Sequence, residues 1–310
     1  MFSNKIKILA LCFLFSSTIL SQSEDRFLPE KPGKWSVKSN LNSIPKKDKS
    51  DFESNLTTVA EWLQKNVKML IEPKGFDLPV TFYGKWDDDY KTKDHNYAYR
   101  CEMDFAFQLF IVENGKETKW TIEPPHYEID INNTEAGHGT NFDVGNLKDL
   151  FVVFPLVKEI ASGVRLYDDG NLIVFNPNRP EFWIPIKVRE VVNAKLDFYR
   201  KDDKSIYDFI KPLVDKMTEE ELNAPAYYGS DDAILNVNGK KDGLQIMRFN
   251  KDYWNQSLPK TSIQFIRLWY HPENEFDMIE YIKNNGHPHY GQLLMNELPL
   301  IELSKLISQK

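Results

Sequence analysis

From residue 97 to residue 112 the odd positions are Tyr97, Tyr99, Cys101, Met103, Phe105, Phe107, Leu109 and Ile111. The even positions open with Ala98, Arg100, Glu102, Asp104, Ala106 and Gln108. Side chains of a strand point alternately to opposite faces. A period of two over this length therefore dictates a β-strand with one face on a core and one face toward water. The strand runs into Glu113-Asn114-Gly115-Lys116. Asn-Gly is a strong hairpin signal because both central residues of the tight turn need positive φ. Pairing across that turn sets Ile111 opposite Thr118, Leu109 opposite Trp120 and Phe107 opposite Ile122. A straight strand of this length would extend ~50 Å at about 3.3 Å per residue, so a bulge or strong coiling is expected near its middle.

What precedes this strand reads as a helix. Ser50 and Glu53 have the spacing of a capping box, and Phe52, Leu56, Val59, Leu63, Val67 and Leu70 follow at steps of three and four. Pro73 and Gly75 end it. A strand is expected around residues 80–83. After Pro124-Pro125 another alternating run places Tyr127, Ile129 and Ile131 on one face and His126, Glu128 and Asp130 on the other. The expected class is α+β: an N-terminal helix packed on a curved antiparallel meander, then a second α+β unit with a helical C-terminus.

That second unit is less sharply written. Residues 133–147 are polar and glycine-rich, and residues 150–157 are apolar enough for a buried strand or a short helix. Asp169-Gly170 marks a second hairpin, pairing residues 164–166 with 173–175. Pro185 is placed to open a helix striped by Val188, Val191, Val192, Leu196 and Tyr199. Further helices are expected at 205–217 and after Thr218, strands at 244–249 and 261–270, and a loop at 236–243. Helices at 275–284, 290–297 and 300–307 close the chain. Phe175-Asn176 before Phe182-Trp183 is echoed by Phe249-Asn250 before Tyr253-Trp254. The unequal spacing points to similar packing at two strand exits rather than to a duplicated unit.

The first residues read as a targeting segment. Lys5 and Lys7 precede an apolar stretch from Ile8 to Leu20, which is too short to span a bilayer and is interrupted by Ser16, Ser17 and Thr18. A secretory signal peptide over residues 1–22 is expected, cut after Ser21 or Gln22. The domain reading is then residues 1–22 signal peptide, 23–49 extended arm, 50–160 helix-plus-sheet domain, and 161–310 a second unit, separate from the first or continuous with it. Without Lys5 and Lys7 the chain carries 37 Lys and Arg against 46 Asp and Glu, a net charge of −9. A strongly acidic surface argues against nucleic acid and anionic lipid as partners. No stretch of the mature chain has the length and apolarity of a membrane span. Only Cys101 remains after cleavage, so no intramolecular disulfide can form, and its place in the alternation makes it a buried thiol.

Four groups of residues carry candidate chemistry. Glu102, Asp104, Glu128 and Asp130, with Arg100, Lys119 and His126, share the polar face of the meander. Paired carboxylates can serve as general acid and base on a sugar or hold a cation. The simpler reading is a solvated sheet face. His287 and His289, with His271 before them, could aim at one metal. However, Asn284-Asn285-Gly286 followed by Pro288 has the form of a helix end and connector, and no established ligand spacing is present. His138 sits between Gly137 and Gly139 without a nucleophile motif to act on, and the segment lacks the third glycine of a dinucleotide fingerprint, so no cofactor is expected. Trp35, Trp86, Trp183, Trp254 and Trp269 could form a binding platform, although aromatics at such spacings usually build cores. The best-supported expectation is an exported, non-catalytic cell-envelope protein that binds a protein or carbohydrate partner. A periplasmic or secreted hydrolase using the carboxylates or histidines ranks next, and a structural subunit of an envelope assembly last.

Overall fold

The structure of the chain is a computed structural model that describes residues 26–91, 96–134, 142–228, 243–270 and 276–308. The expected signal peptide, His138, His271 and most of the 236–243 loop lie outside these residues.

Strands β1 (Arg26–Phe27) and β2 (Trp35–Asn40) precede helix α1 (Lys46–Asn66) and the single turn α2 (Lys68–Ile71). Helix α1 starts at Lys46, four residues before Ser50, because Pro45 sets the entry with φ −54° and the lysine-rich turn behind it is already a good helix former. Ser50 and Glu53 therefore lie inside the helix and cap nothing. The whole predicted stripe, Phe52 to Leu70, is buried.

Strand β3 (Phe76–Lys85) follows, and the alternating stretch forms β4 (Arg100–Ala106) and β5 (Gln108–Glu113). The return across Asn114-Gly115, both at positive φ, is β6 (Lys116–Lys119), and the next run is β7 (His126–Ile131). Strand β3 pairs antiparallel with β4, and β4 with β7, which gives the expected meander. Strand β2 adds to the other edge of β3 in parallel.

Two details of register differ from expectation. Ile111 does face Thr118, but the β5–β6 ladder ends at Lys119, and Ile122 is 80% exposed instead of facing Phe107. Trp120 keeps its expected place opposite Leu109, its amide donating to the Leu109 carbonyl at 2.8 Å; the chain swings out after it, and the amide of Phe107 donates to the carbonyl of Pro125 at 2.8 Å. The long strand is thus divided by a change of partner on one edge, from β6 to β7. Its register against β3 is the same on both sides of Phe107, with no bulge between them.

Strands β8 (Phe142–Val144), β9 (Leu147–Val153), β10 (Leu156–Ala161), β11 (Val164–Tyr167), β12 (Asn171–Phe175) and β13 (Trp183–Pro185) come next. The apolar run at 150–157 is therefore extended. The β11–β12 hairpin pairs Val164 with Val174 and Leu166 with Leu172, one residue short of the expected register, and Gly170 supplies φ +81°. Pro185 ends a strand, and helix α3 (Val188–Asp202) starts after Lys187. Helices α4 (Lys204–Val214) and α5 (Glu219–Asn223) follow, the latter with a capping box of Thr218 and Glu221. Strands β14 (Tyr227–Tyr228), β15 (Leu244–Phe249) and β16 (Phe265–Trp269) lead to helices α6 (Met278–Asn285) and α7 (Tyr290–Glu297) and a 3-10 helix at Leu300–Leu306. Strand β16 is shorter than the apolar run at 261–270: its ladder with β12 starts at Phe265, and the amide of Gln264 before it goes to Asn132 Oδ1.

The strands form two sheets. The larger runs β1-β5-β3-β4-β7-β16-β12-β11-β10, with β2 on β3 and β6 on β5. The smaller runs β13-β15-β9-β8, with β14 on β15. Helix α1 packs on one face of the larger sheet. That core holds Phe52, Leu56, Val59, Val80, Phe82, Cys101, Met103, Phe105, Phe107 and Ile129, and it extends to Leu172, Ile266, Tyr290 and Leu303. Burial of side chains of this size stabilises by about 1.5–3 kcal/mol each. Burial, then the charges of Asp130 and Glu102, hold the Cys101 thiol well above its ordinary range.

A second core lies between the two sheets, built from Phe151, Phe175, Phe182, Trp183, Phe249, Tyr253, Trp254 and Phe265. The echoed strand exits meet here. Asn176 Oδ1 takes the amide of Asn178, Asn250 Oδ1 takes that of Asp252, and the Asn250 amide donates to the Phe182 carbonyl at 2.7 Å. Each asparagine turns its strand outward so that its aromatic pair folds back on the other's. Among the described residues, no helix is long and apolar enough to cross a membrane.

Candidate functional site

Ladder register brings the four predicted carboxylates together. Glu102 faces Asp130, Asp104 faces Glu128, and Ala106 faces His126 across β4 and β7, while Tyr83 and Thr81 flank them from β3. Directly opposed side chains lie about 4.5–5.5 Å apart at Cβ. The group is not uniformly solvated. Asp130 is 4% exposed and is ion-paired with buried Arg267, while Asn133 Nδ2 donates to its other oxygen at 2.8 Å. Arg267 also donates to Asn171 Oδ1 at 3.0 Å. These bonds commit Asp130 to holding β7 against β16 and β12.

Glu102 and Asp104 are half-buried. Burial raises the Glu102 carboxyl, the charge of Glu128 adds to this, and Lys85 opposes it. Burial raises Asp104 as well, with His126 opposing and Glu102 adding. Asp104 Oδ1 is buried without a hydrogen-bond partner. His126 and Glu128 are exposed, 3.8 Å apart between Nε2 and Oε1. No group of three or more metal-ligating residues occurs among the described residues.

The C-terminal histidines are held by packing. Gly286 ends α6 at φ +74°, as its sequence context predicts. His289 Nδ1 accepts the Gln292 amide at 3.0 Å and so caps α7, and its ring lies 5.0 Å from Tyr281 and 5.1 Å from Phe276. Burial lowers its pKa. The His287 ring meets Trp120 at 5.5 Å and Tyr281 at 5.9 Å. The cap takes one ring nitrogen of His289 away from any metal. Of the five tryptophans considered as a platform, Trp86, Trp183 and Trp254 are buried in cores, and only Trp269, 40% exposed, faces solvent substantially.

A concave site lies where the layer between the sheets opens at one edge. Phe154-Pro155 carries the chain from β9 of the smaller sheet to β10 of the larger. Beside this crossover is a cleft of about 530 Å³. Its walls come from alternate positions of separate strands: Arg165 and Tyr167 on β11, Trp183 and Pro185 on β13, Gln245 and Met247 on β15, with Tyr227 on β14. Alternate positions share a face, so each strand contributes the side turned toward the other sheet. Arg165 donates to Glu181 at 2.6 Å and Glu159 at 3.3 Å, and its guanidinium lies 4.5 Å from the Phe175 ring centre. Burial pushes the Tyr167 phenol up to about 12, with Arg165 opposing, so it remains a hydrogen-bond donor at neutral pH.

Comparison with protein-family models, curated proteins and solved structures finds no match. Function must therefore be argued from these side chains. The cleft has the volume usual for small-molecule sites, roughly 300–1,000 Å³, and their usual chemistry of apolar walls with a few converging polar groups. Of its lining residues the sequence singles out Trp183 as a platform candidate, but not the others in the cleft. Their common signal is the period of two on β11, β13 and β15, which becomes a cleft only once the two sheets are stacked.

Proposed function

We propose that this chain is an exported, non-catalytic binding protein of the cell envelope whose inter-sheet cleft receives a carbohydrate. The observation that carries this is the lining of the cleft. Tyr227 offers aromatic surface to a sugar ring, edged by the largely buried rings of Tyr167 and Trp183, and Arg165, Glu181 and Gln245 offer planar donors and acceptors to its hydroxyls. The charged start and short apolar stretch of residues 1–22 support export. Calorimetric titration with maltose, cellobiose, lactose and diacetylchitobiose tests the proposal. At least one should bind saturably, and Gln245→Trp, which fills the cleft, should abolish that binding while the circular dichroism stays native. Equal binding by Gln245→Trp would put the site elsewhere, and no binding by any of the four would remove the carbohydrate reading.

A hydrolase is the second reading, supported by the opposed carboxylates of Glu102, Asp104 and Glu128 on neighbouring strands, where burial raises Glu102 and Asp104 in the direction a general acid requires. Turnover of a glycoside substrate that Asp104→Asn abolishes would favour it over the binding protein.

A further inference from the structure

A second cavity, about 510 Å³, opens where α2, the start of β3 and α7 meet. Met69, Ile71, Phe76 and Leu293 give it apolar walls, and Tyr290 lines it from within the core. Tyr290 is 5% exposed, with its ring 4.6 Å from Phe76 and stacked at 5.3 Å on Phe107. Its hydroxyl lies against Gly75, where a Cβ would come within 2.9 Å of it. The backbone there is already committed: the Gly75 amide donates to the Lys31 carbonyl and the Gly75 carbonyl accepts from Phe110, each at 2.8 Å.

Buried phenols usually find a hydrogen-bond partner, because a hydroxyl taken out of water without one is destabilising. The Tyr290 hydroxyl has none among the described residues, and it is not among the side-chain atoms sealed from solvent, so it stays open to a small molecule. Burial holds its pKa above the ordinary tyrosine value, so it stays neutral and can both donate and accept. The charges around the cavity balance, Lys68 and Lys74 against Glu72 and Glu297. Glu297 is also engaged by the Met69 amide at 2.7 Å. Neither an anionic nor a cationic head gains from this rim.

We propose that this cavity binds a small uncharged amphiphile, its apolar body against Met69, Ile71 and Leu293 and a single hydroxyl or carbonyl on the Tyr290 hydroxyl. The site is separate from the inter-sheet cleft and does not depend on it.

The test uses the mature chain with methyl-labelled methionine and three probes of one chain length: 1-hexanol, hexanoate and hexylamine. Hexanol should shift the Met69 methyl resonance saturably, and the two ionised probes should bind about tenfold more weakly or worse. Tyr290→Phe keeps the ring packing and should fold at least as stably, yet lose about tenfold in hexanol affinity, the usual scale for one neutral hydrogen bond. Leu293→Trp, which fills the cavity, should abolish the shift. No saturable shift with hexanol overturns the proposal. Equal binding of all three probes, or unchanged affinity in Tyr290→Phe, overturns the assignment of the head group to the phenol.

Discussion

Phe107 and Tyr290 stack with ring centres 5.3 Å apart and planes 21° from parallel, joining the middle of the long alternating stretch to helix α7. Phe107 is fully buried, whereas Gln108, one residue on, is only partly so. Phe107→Asp should therefore be among the most damaging single changes. Truncating a buried Phe to Ala costs about 3–5 kcal/mol, and an unpaired buried charge costs more. Gln108→Lys, opposite Asp77 in the ladder, should shift stability by about 0.5 kcal/mol or less. Thermal melts of both variants check this. Equal damage would mean that the two faces of the strand are equally buried.

The Arg267–Asp130 pair makes a second stability prediction. Both side chains are buried, and Arg267→Met would leave Asp130 with Asn133 alone. Losing one partner of a buried pair costs about 3–5 kcal/mol, whereas replacing both by apolar groups is often near neutral. In urea unfolding, Arg267→Met should be strongly destabilised and Arg267→Met/Asp130→Leu should recover most of the loss. A single variant as stable as wild type would show that the pair does not hold β7 to β16.

Asp104 supplies a pH dependence. Burial raises its folded pKa above the value near 4 of an unfolded carboxyl. Protonation is thus favoured in the folded state. The stability this group contributes is complete below about pH 4 and is lost as pH rises through the raised folded value. Asp104→Asn, neutral throughout, should melt above wild type at pH 7, and the gap should shrink on acidification toward pH 4. A gap independent of pH would show that Asp104 titrates normally.

Export is tested on protein recovered from the envelope fraction of expressing cells. N-terminal sequencing should begin at Gln22 or Ser23, after loss of the charged and apolar leader. Recovery with Met1 retained would contradict this.

Much of the fold was legible because burial is one-sided. The odd positions from Tyr99 to Leu109 and the stripe from Phe52 to Leu70 are buried as their periods require. Strand β2 was not legible, since Ser36 to Asn40 are exposed and the strand is held by backbone pairing to β3 rather than by an apolar face. The departure after Trp120 was hidden because Trp120 and Ile122 continue an apolar pattern, but each is substantially exposed, at 37% and 80%. At the candidate sites, the carboxylate cluster followed from alternation on two neighbouring strands. The burial of Asp130 did not, because Arg267 comes from a strand 137 residues along the chain. The cleft was least visible, since Arg165, Trp183 and Gln245 converge only through the stacking of two sheets.

Methionine methyl spectroscopy reports on the cleft directly, because Met247 lines it and Met69 lines the other cavity. The disaccharide that binds in calorimetry should be titrated into methyl-labelled mature protein. The Met247 resonance should move saturably, with the same affinity as the heat signal, and Met69 should stay in place. A Met247 resonance unmoved at saturation would contradict the assignment of the inter-sheet cleft as the binding site.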